Sequence, residues 1–124
     1  MKRIILLSML LISTPLTAQS IPVAGPTNRL GFVQDAQDLQ TAQIYVYREY
    51  LDNSIVPVIM TNVTCTGNQT PFQCVGDFPP GMQQGQHSIM LSAANIVAEG
   101  PKSNPFIFVF ITNAPIPPDQ IHIV

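Results

Sequence analysis

The chain has 124 residues, of which 46% are hydrophobic and 10% charged, and its formal net charge is −2 at pH 7. This length suits a single domain. Beyond residue 20, three basic residues stand against seven acidic ones, so that part of the chain has a net charge of −4. So few basic side chains cannot neutralise a phosphate backbone or bind an anionic lipid surface, which argues against nucleic acid as a partner.

The first twenty residues have the pattern of a secretory signal peptide, which is removed on export. Lys2 and Arg3 form a short basic region, an apolar run covers Ile4–Ile12, and Ala18 and Ser20 supply small residues before a cleavage site. A retained membrane anchor is the alternative, but the run is shorter than the roughly 20 residues that a spanning helix needs. We therefore expect a secreted, periplasmic or cell-surface protein that has no membrane span after cleavage.

Strand-length apolar segments, separated by prolines, glycines and polar turns, follow this leader. The predicted strands cover residues 29–34, 42–51, 55–66, 72–77, 86–95 and 106–112. No helical period is visible between them, so the pattern predicts an all-β sandwich or barrel. Asp35 and Asp38 predict a polar turn and not a calcium site, because a calcium loop would need several more oxygen ligands.

Two of these strands have a predicted buried face. In the strand over residues 42–51, we expect Tyr45, Tyr47 and Leu51 to point inward with Glu49 among them, although a one-residue slip would exchange the two faces. In the strand over residues 86–95, apolar and polar residues alternate, which predicts one buried face. There we expect the inward residues to be Ile89, Leu91 and Ala93, packed with Phe32, and the outward ones to be Ser88, Met90 and Ser92.

Cys65 and Cys74 are the two cysteines of the chain. An even count in an exported chain predicts a disulfide bond, because the compartment is oxidising. Zinc is the alternative, but two thiols make half of a tetrahedral site and no histidine lies nearby in the sequence. We expect the bond to join neighbouring antiparallel strands and to stabilise the fold by roughly 2.5–3 kcal/mol in the chain-entropy model.

Several short motifs resemble the fibronectin type III module. His87-Ser-Ile-Met-Leu-Ser-Ala-Ala-Asn95 is similar to the module's aromatic–x–apolar–x–apolar–x–Ala–x–Asn strand, and the following segment up to Phe106 is similar to its Gly-x-x-Ser-x-Pro loop. Tyr47-Arg-Glu-Tyr-Leu-Asp-Asn53 resembles the family's Tyr-Arg-x-Tyr-x-Asp-Gly strand and turn, and His87 takes the place of the tyrosine at the family's corner. The cysteine pair is similar to variants in secreted bacterial proteins.

The resemblance covers residues 29–112 and implies one antiparallel β-sandwich of fibronectin type III or immunoglobulin-like type over residues 21–112. Such modules are mostly binding scaffolds. The resemblance therefore implies a non-catalytic module for protein binding, adhesion or spacing, without cofactor or metal. His87 is expected to pack and to hydrogen-bond a nearby turn, and no local motif supports a catalytic triad of Ser88 or Ser92 with His87 and Asp77.

Six aromatic residues are candidates for a binding surface: Tyr45, Tyr47, Tyr50, Phe106, Phe108 and Phe110. The tyrosines carry the alternative function, a carbohydrate-binding module that stacks sugars on an aromatic strand face. The run Phe106–Ile111 is apolar at every position, so one face belongs in the core and the other is either covered or adhesive. The partner is therefore a protein or a polysaccharide, and self-association through an edge strand is a candidate mode.

A Pro-rich tail over residues 113–124 follows the last predicted strand. Ile121 and Ile123 alternate as in a strand. Three arrangements fit this pattern: an extended tail, which we favour, a strand folded back onto the same domain, or a strand added to the sheet edge of another chain.

Overall fold

The structure, a computed structural model, describes residues 20–112 and 122–124. The predicted signal peptide, except Ser20, and the predicted tail, except its last three residues, lie outside the described residues. Within the described part of the chain, no helix is both long and apolar enough to cross a membrane.

The described residues form two β-sheets, which confirms the all-β prediction, and one short helix. In chain order the elements are β1 (Val23–Ala24), β2 (Arg29–Gln34), α1 (Leu39–Ile44), β3 (Val46–Leu51), β4 (Val58–Ile59), β5 (Thr64–Thr66), β6 (Phe72–Asp77), β7 (Gly85–Ala94) and β8 (Phe106–Phe110). A five-stranded sheet has the order β1-β8-β7-β3-β4, and a three-stranded sheet has the order β2-β6-β5. The pairing of β1 with β8 is parallel, and the other strand pairs are antiparallel.

The two sheets share one hydrophobic cluster. Leu30 of the three-stranded sheet is buried in it together with Tyr47, Ile89 and Phe108 of the five-stranded sheet. The predicted registers of β3 and β7 are confirmed, because the remaining predicted inward residues pack against the same cluster. These residues are Phe32, Tyr45, Leu51, Leu91 and Ala93.

The prediction that a strand begins at Ala42 and that no helix is present was wrong. Helix α1 occupies Leu39–Ile44, and β3 begins only at Val46. Asp38 caps the helix, since its carboxylate accepts a hydrogen bond from the Thr41 backbone N–H at 2.8 Å. Ala42 is fully buried against the cysteine pair. Six residues are too few to show a helical period, so the cap and the tertiary contact of Ala42 decide the conformation.

The single strand predicted over residues 55–66 is two strands in different sheets. Strand β4 pairs with β3, and β5 pairs with β6. Between them, Asn62 turns the chain with a φ of 55°. Met60 is buried over Gly76, where a Cβ atom would lie 2.1 Å from the Met60 sulfur. The chain therefore crosses from one sheet to the other within a segment whose composition is that of one strand.

The cysteine pair lies where the sequence predicts it. Cys65 of β5 and Cys74 of β6 are directly opposite each other, and their sulfur atoms are 2.07 Å apart. The bond joins neighbouring antiparallel strands at the outer edge of the three-stranded sheet.

Candidate functional site

The four edge strands of the two sheets differ in how well their backbone is protected from further pairing. Strands β1 and β4 have two residues each, and Pro57 directly precedes β4. Short strands and proline both limit pairing at a sheet edge. The edges of the three-stranded sheet, β5 and β2, are unlike each other.

A side-chain amide closes the outer edge of β5. Gln43 of α1 donates from Nε2 to the Val63 carbonyl oxygen at 2.7 Å, and its Oε1 accepts from the Cys65 N–H at 2.7 Å. These are the contacts that a peptide group of a neighbouring strand would make. The helix that carries Gln43 is held in place by Ala42, whose carbonyl oxygen accepts a hydrogen bond from the buried Tyr47 hydroxyl at 2.6 Å.

The outer edge of β2 presents free backbone groups. The Cα atoms of Cys65 and Cys74 are 4.1 Å apart, which marks a pair without mutual backbone hydrogen bonds, since such pairs lie near 4.5 Å and bonded pairs near 5.5 Å. The peptide groups of Cys74 therefore point toward β2, where Phe32 is the partner. It follows that Gly31 and Val33 direct their N–H and C=O groups away from β6. Within residues 20–112, no strand pairs with this edge.

A groove of about 750 Å³ runs beside this free edge. One wall is β2, the floor is formed by inward residues of β3 and β7, and the other wall is the loop over residues 95–105. We call this cavity the β2 groove. Its lining includes residues 30–34, Tyr45, Leu91, Ala93, residues 97–103 and Phe106.

The loop wall, which precedes β8 in the chain, is hydrogen-bonded to β7 past Ile89, the residue opposite the first residue of β8. The N–H of Ser103 donates to the Leu91 carbonyl oxygen at 2.7 Å, and the N–H of Leu91 donates to the Ser103 hydroxyl at 2.9 Å. The N–H of Gly100 donates to the Ala93 carbonyl oxygen at 2.8 Å. The wall is thus formed in the unbound chain, so binding does not have to order it.

The two charged residues that line the β2 groove are both engaged. The Glu99 carboxylate accepts hydrogen bonds from the hydroxyls of Ser92, at 2.5 Å, and Tyr50, and it forms an ion pair with Arg48 at 3.0 Å. The Ser92 and Tyr50 hydroxyls, followed by Arg48, lower the pKa of Glu99. The Lys102 ammonium lies 4.0 Å from the centre of the Tyr50 ring. The groove therefore has a mostly apolar lining, in which the charge of Glu99 is neutralised by Arg48 and that of Lys102 is held against an aromatic ring.

The six predicted surface aromatics do not form one surface. Tyr47, Tyr50, Phe108 and Phe110 are buried, so they are not accessible to a partner. Tyr45 and Phe106 line the β2 groove, and 44% of Phe106 is exposed. The run Phe106–Ile111 does not supply a sheet edge, because β8 lies between β7 and β1. Alternation along one strand reveals two faces, but it does not reveal that a loop covers Tyr50 from outside.

His87 has the structural role that the sequence predicts. Its Nδ1 lies 2.7 Å from the Asp52 carboxylate, and its Nε2 lies 2.5 Å from the carbonyl oxygen of Gln83 in the turn before β7. Both partners are acceptors, so both ring nitrogens donate when the ring is protonated. The hydrogen bond to Asp52, and then that to Gln83, raises the pKa of His87. Asp77 forms an ion pair with Arg29 at 3.2 Å and not with His87. The catalytic triad considered from the sequence, in which Asp77 would orient His87, is therefore not formed.

Glu49 is a buried carboxyl group on the inward face of β3. Only 1% of the residue is exposed, and its Oε1 has no hydrogen-bond partner among the described residues. Burial, and then the charge of Asp77, raises the pKa of Glu49 to about 8. The alternation of β3 places Glu49 inward, but only the packed structure shows that no donor of the described residues reaches its Oε1.

Comparison of the chain with models of known protein families, with curated proteins and with solved structures finds no match. The resemblance to the fibronectin type III module therefore depends on the short motifs given above. The structure supports the coarser statement of an all-β chain with two sheets that share a core.

Proposed function

We propose that the chain is an exported, non-catalytic β-sandwich module of fibronectin type III or immunoglobulin-like type, and that it binds a protein partner in the β2 groove. The strand order supports the fold assignment. In an immunoglobulin sandwich, strands B, E and D are neighbours in one sheet, and C, F and G are neighbours in the other. Strands β2, β6 and β5 match the first set, and β3, β7 and β8 match the second.

The β2 groove carries the functional proposal. Concave, mostly apolar sites with a few polar groups are typical binding sites. Tyr45 and Phe106 give this groove aromatic contact area, and the hydrogen-bonded loop makes its wall preformed. Burial of Tyr47 and Tyr50 favours a protein over a sugar, because a stacking platform on β3 would need exposed rings.

The cysteine pair supports the compartment. Disulfide bonds persist in oxidising compartments, so the Cys65–Cys74 bond agrees with export by the predicted signal peptide. We expect the secreted or periplasmic chain to hold this bond and to act outside the cytoplasm.

A matched pair of substitutions on β8 tests the proposal. Phe106 and Ile107 are 44% and 47% exposed, and only Phe106 lines the groove. The folded protein is used to select from a phage-displayed random peptide library and is probed on a glycan array. We expect selected peptides to lose at least about tenfold in affinity, or 1.4 kcal/mol, with Phe106→Ala and to keep it with Ile107→Ala.

Two results contradict the proposal. The first is binding on the glycan array with no peptide selected, which would favour the carbohydrate-binding alternative. The second is a set of selected peptides whose affinity is the same for Phe106→Ala and for Ile107→Ala. Thermal unfolding of both variants shows whether each retains the fold.

A further inference from the structure

We propose that the β2 groove receives one extended polypeptide strand of another protein, which has apolar side chains at its inward positions and pairs with the free edge of β2 through the backbone of Gly31 and Val33. This inference rests on the proposed function and adds to it the conformation and backbone contacts of the partner.

The length of the β2 edge is the first observation. A long unpaired edge is a template for unwanted pairing, and proteins usually shorten, cap or charge such edges. Strands β1 and β4 are short, and Gln43 caps β5. Strand β2 has six residues and contains no proline, and its one charged residue, Arg29, is paired with Asp77. Among the described edges, β2 is the one suited to accept a strand.

The path of the chain before β2 is the second observation. In an immunoglobulin sandwich, strand A belongs to the same sheet as B and E. Here β1 pairs with β8 of the other sheet. A tight turn follows, in which the Asn28 N–H donates to the Gly25 carbonyl oxygen at 3.0 Å, and β2 starts at once in the three-stranded sheet. No described strand therefore lies beside β2 at the position that strand A would have.

The direction of the side chains and of the backbone groups is the third observation. Leu30, Phe32 and Gln34 point inward, while Gly31 and Val33 present their backbone groups to the groove that they line. An added strand would bond these groups, and every second side chain of it would face the apolar floor. At about 3.3 Å per residue, the six-residue edge matches a partner segment of about 20 Å.

The apolar floor of the groove selects the chemistry of the partner. Arg48 neutralises Glu99 and the Lys102 ammonium lies against the Tyr50 ring, whereas the floor is lined by Tyr45, Leu91 and Ala93. A charged side chain pointing inward would lose its hydration without gaining a partner. The inward positions of the partner strand are therefore apolar, and the positions between them can be polar.

The probe is a panel of capped synthetic peptides in which threonine alternates with valine, leucine or phenylalanine. Each binding peptide is also made in two N-methylated forms, one for each edge of the strand. N-methylation removes the backbone donors of one edge and leaves the side chains unchanged. We expect one form to lose at least about tenfold in affinity by titration calorimetry and the other to bind like the parent.

A protein variant tests the same bond from the other side. Val33→Pro removes an N–H that points away from β6, a position where edge strands tolerate proline, and Val33→Thr keeps the N–H as a matched control. We expect Val33→Pro to lose at least about tenfold in affinity and Val33→Thr to bind normally. If Val33→Pro does not fold, the two N-methylated peptides still decide the question with the unaltered protein.

Three outcomes would overturn the inference. Peptides that bind equally in the parent and in both N-methylated forms would show groove binding without strand pairing. The second outcome is that no alternating peptide binds while the random library yields peptides whose affinity depends on Phe106. In both of these cases the proposed function stands and the strand pairing does not. Concentration-dependent protection of the Gly31 and Val33 amides from hydrogen exchange, without peptide, would show that a second copy fills the groove.

Discussion

The two edges of the three-stranded sheet are opposite in design. The β5 edge is joined to its neighbour by the Cys65–Cys74 bond and capped by Gln43, and the helix that carries Gln43 has its own N-cap at Asp38. Within the described residues, the β2 edge has none of these features, and it lies beside a mostly apolar groove. An open edge beside a groove is the arrangement that the strand pairing proposed above requires.

The β5 and β2 edges also differ in which part of the structure is restrained. At the β5 edge, covalent and hydrogen-bonded contacts restrain the strand itself. At the β2 edge, restraint is on the facing loop, which Glu99 and Ser103 fasten to β3 and β7. A rigid wall opposite a free edge keeps the groove open for an incoming segment at a low ordering cost.

The largest expected effect comes from removing the covalent part of the closed edge. The double variant Cys65→Ala with Cys74→Ala should lose about 2–5 kcal/mol of unfolding free energy, because the unfolded chain regains the entropy of the closed loop. Denaturant titration at equilibrium measures the loss. The unaltered protein under reducing conditions is the control and should behave like the variant. A variant as stable as the oxidised protein would show that Gln43 and α1 close the edge without the bond.

The second largest effect is a change of a few kcal/mol in the unfolding free energy with pH, caused by the buried Glu49 in the core between the sheets. Glu49 has its pKa raised from 4.5 to about 8, so the folded chain keeps a proton that the unfolded chain releases above pH 4.5. Stability should therefore fall as the pH rises from about 4.5 to about 8 and stay level above that. Glu49→Gln should remove this dependence and be more stable than the parent at pH 9. Stability–pH curves that run parallel for parent and variant would contradict the raised pKa.

The smallest expected effect sharpens the role of the amide cap. Gln43→Leu removes both hydrogen bonds to the β5 edge and should cost about 1 kcal/mol for each. Gln43→Glu keeps the oxygen that accepts from the Cys65 N–H and loses the donor to Val63, so it is the matched control. Hydrogen exchange of the Cys65 amide should be fast in Gln43→Leu and slower in Gln43→Glu. Equal protection in both variants would mean that another group closes this edge.

The sequence alone was sufficient to predict the features that depend on a local residue pattern. The boundaries of β2 and β6 agree with the predicted strands over residues 29–34 and 72–77. The cysteine pair and the inward residues of β7 were also predictable. A two-residue period and two cysteines about ten residues apart are properties of neighbouring positions, so they can be recognised without knowledge of the partner strand.

The tertiary structure alone decided which sheet each segment joins and which faces are covered. The segment over residues 55–66 divides between two sheets, and α1 forms because Ala42 packs on the cysteine pair. Tyr50 is buried because a distant loop brings Glu99 and Lys102 over it. The free edge of β2 likewise exists because β1 pairs with β8. Each of these outcomes depends on contacts between residues far apart in the chain, and local propensity contains no information about them.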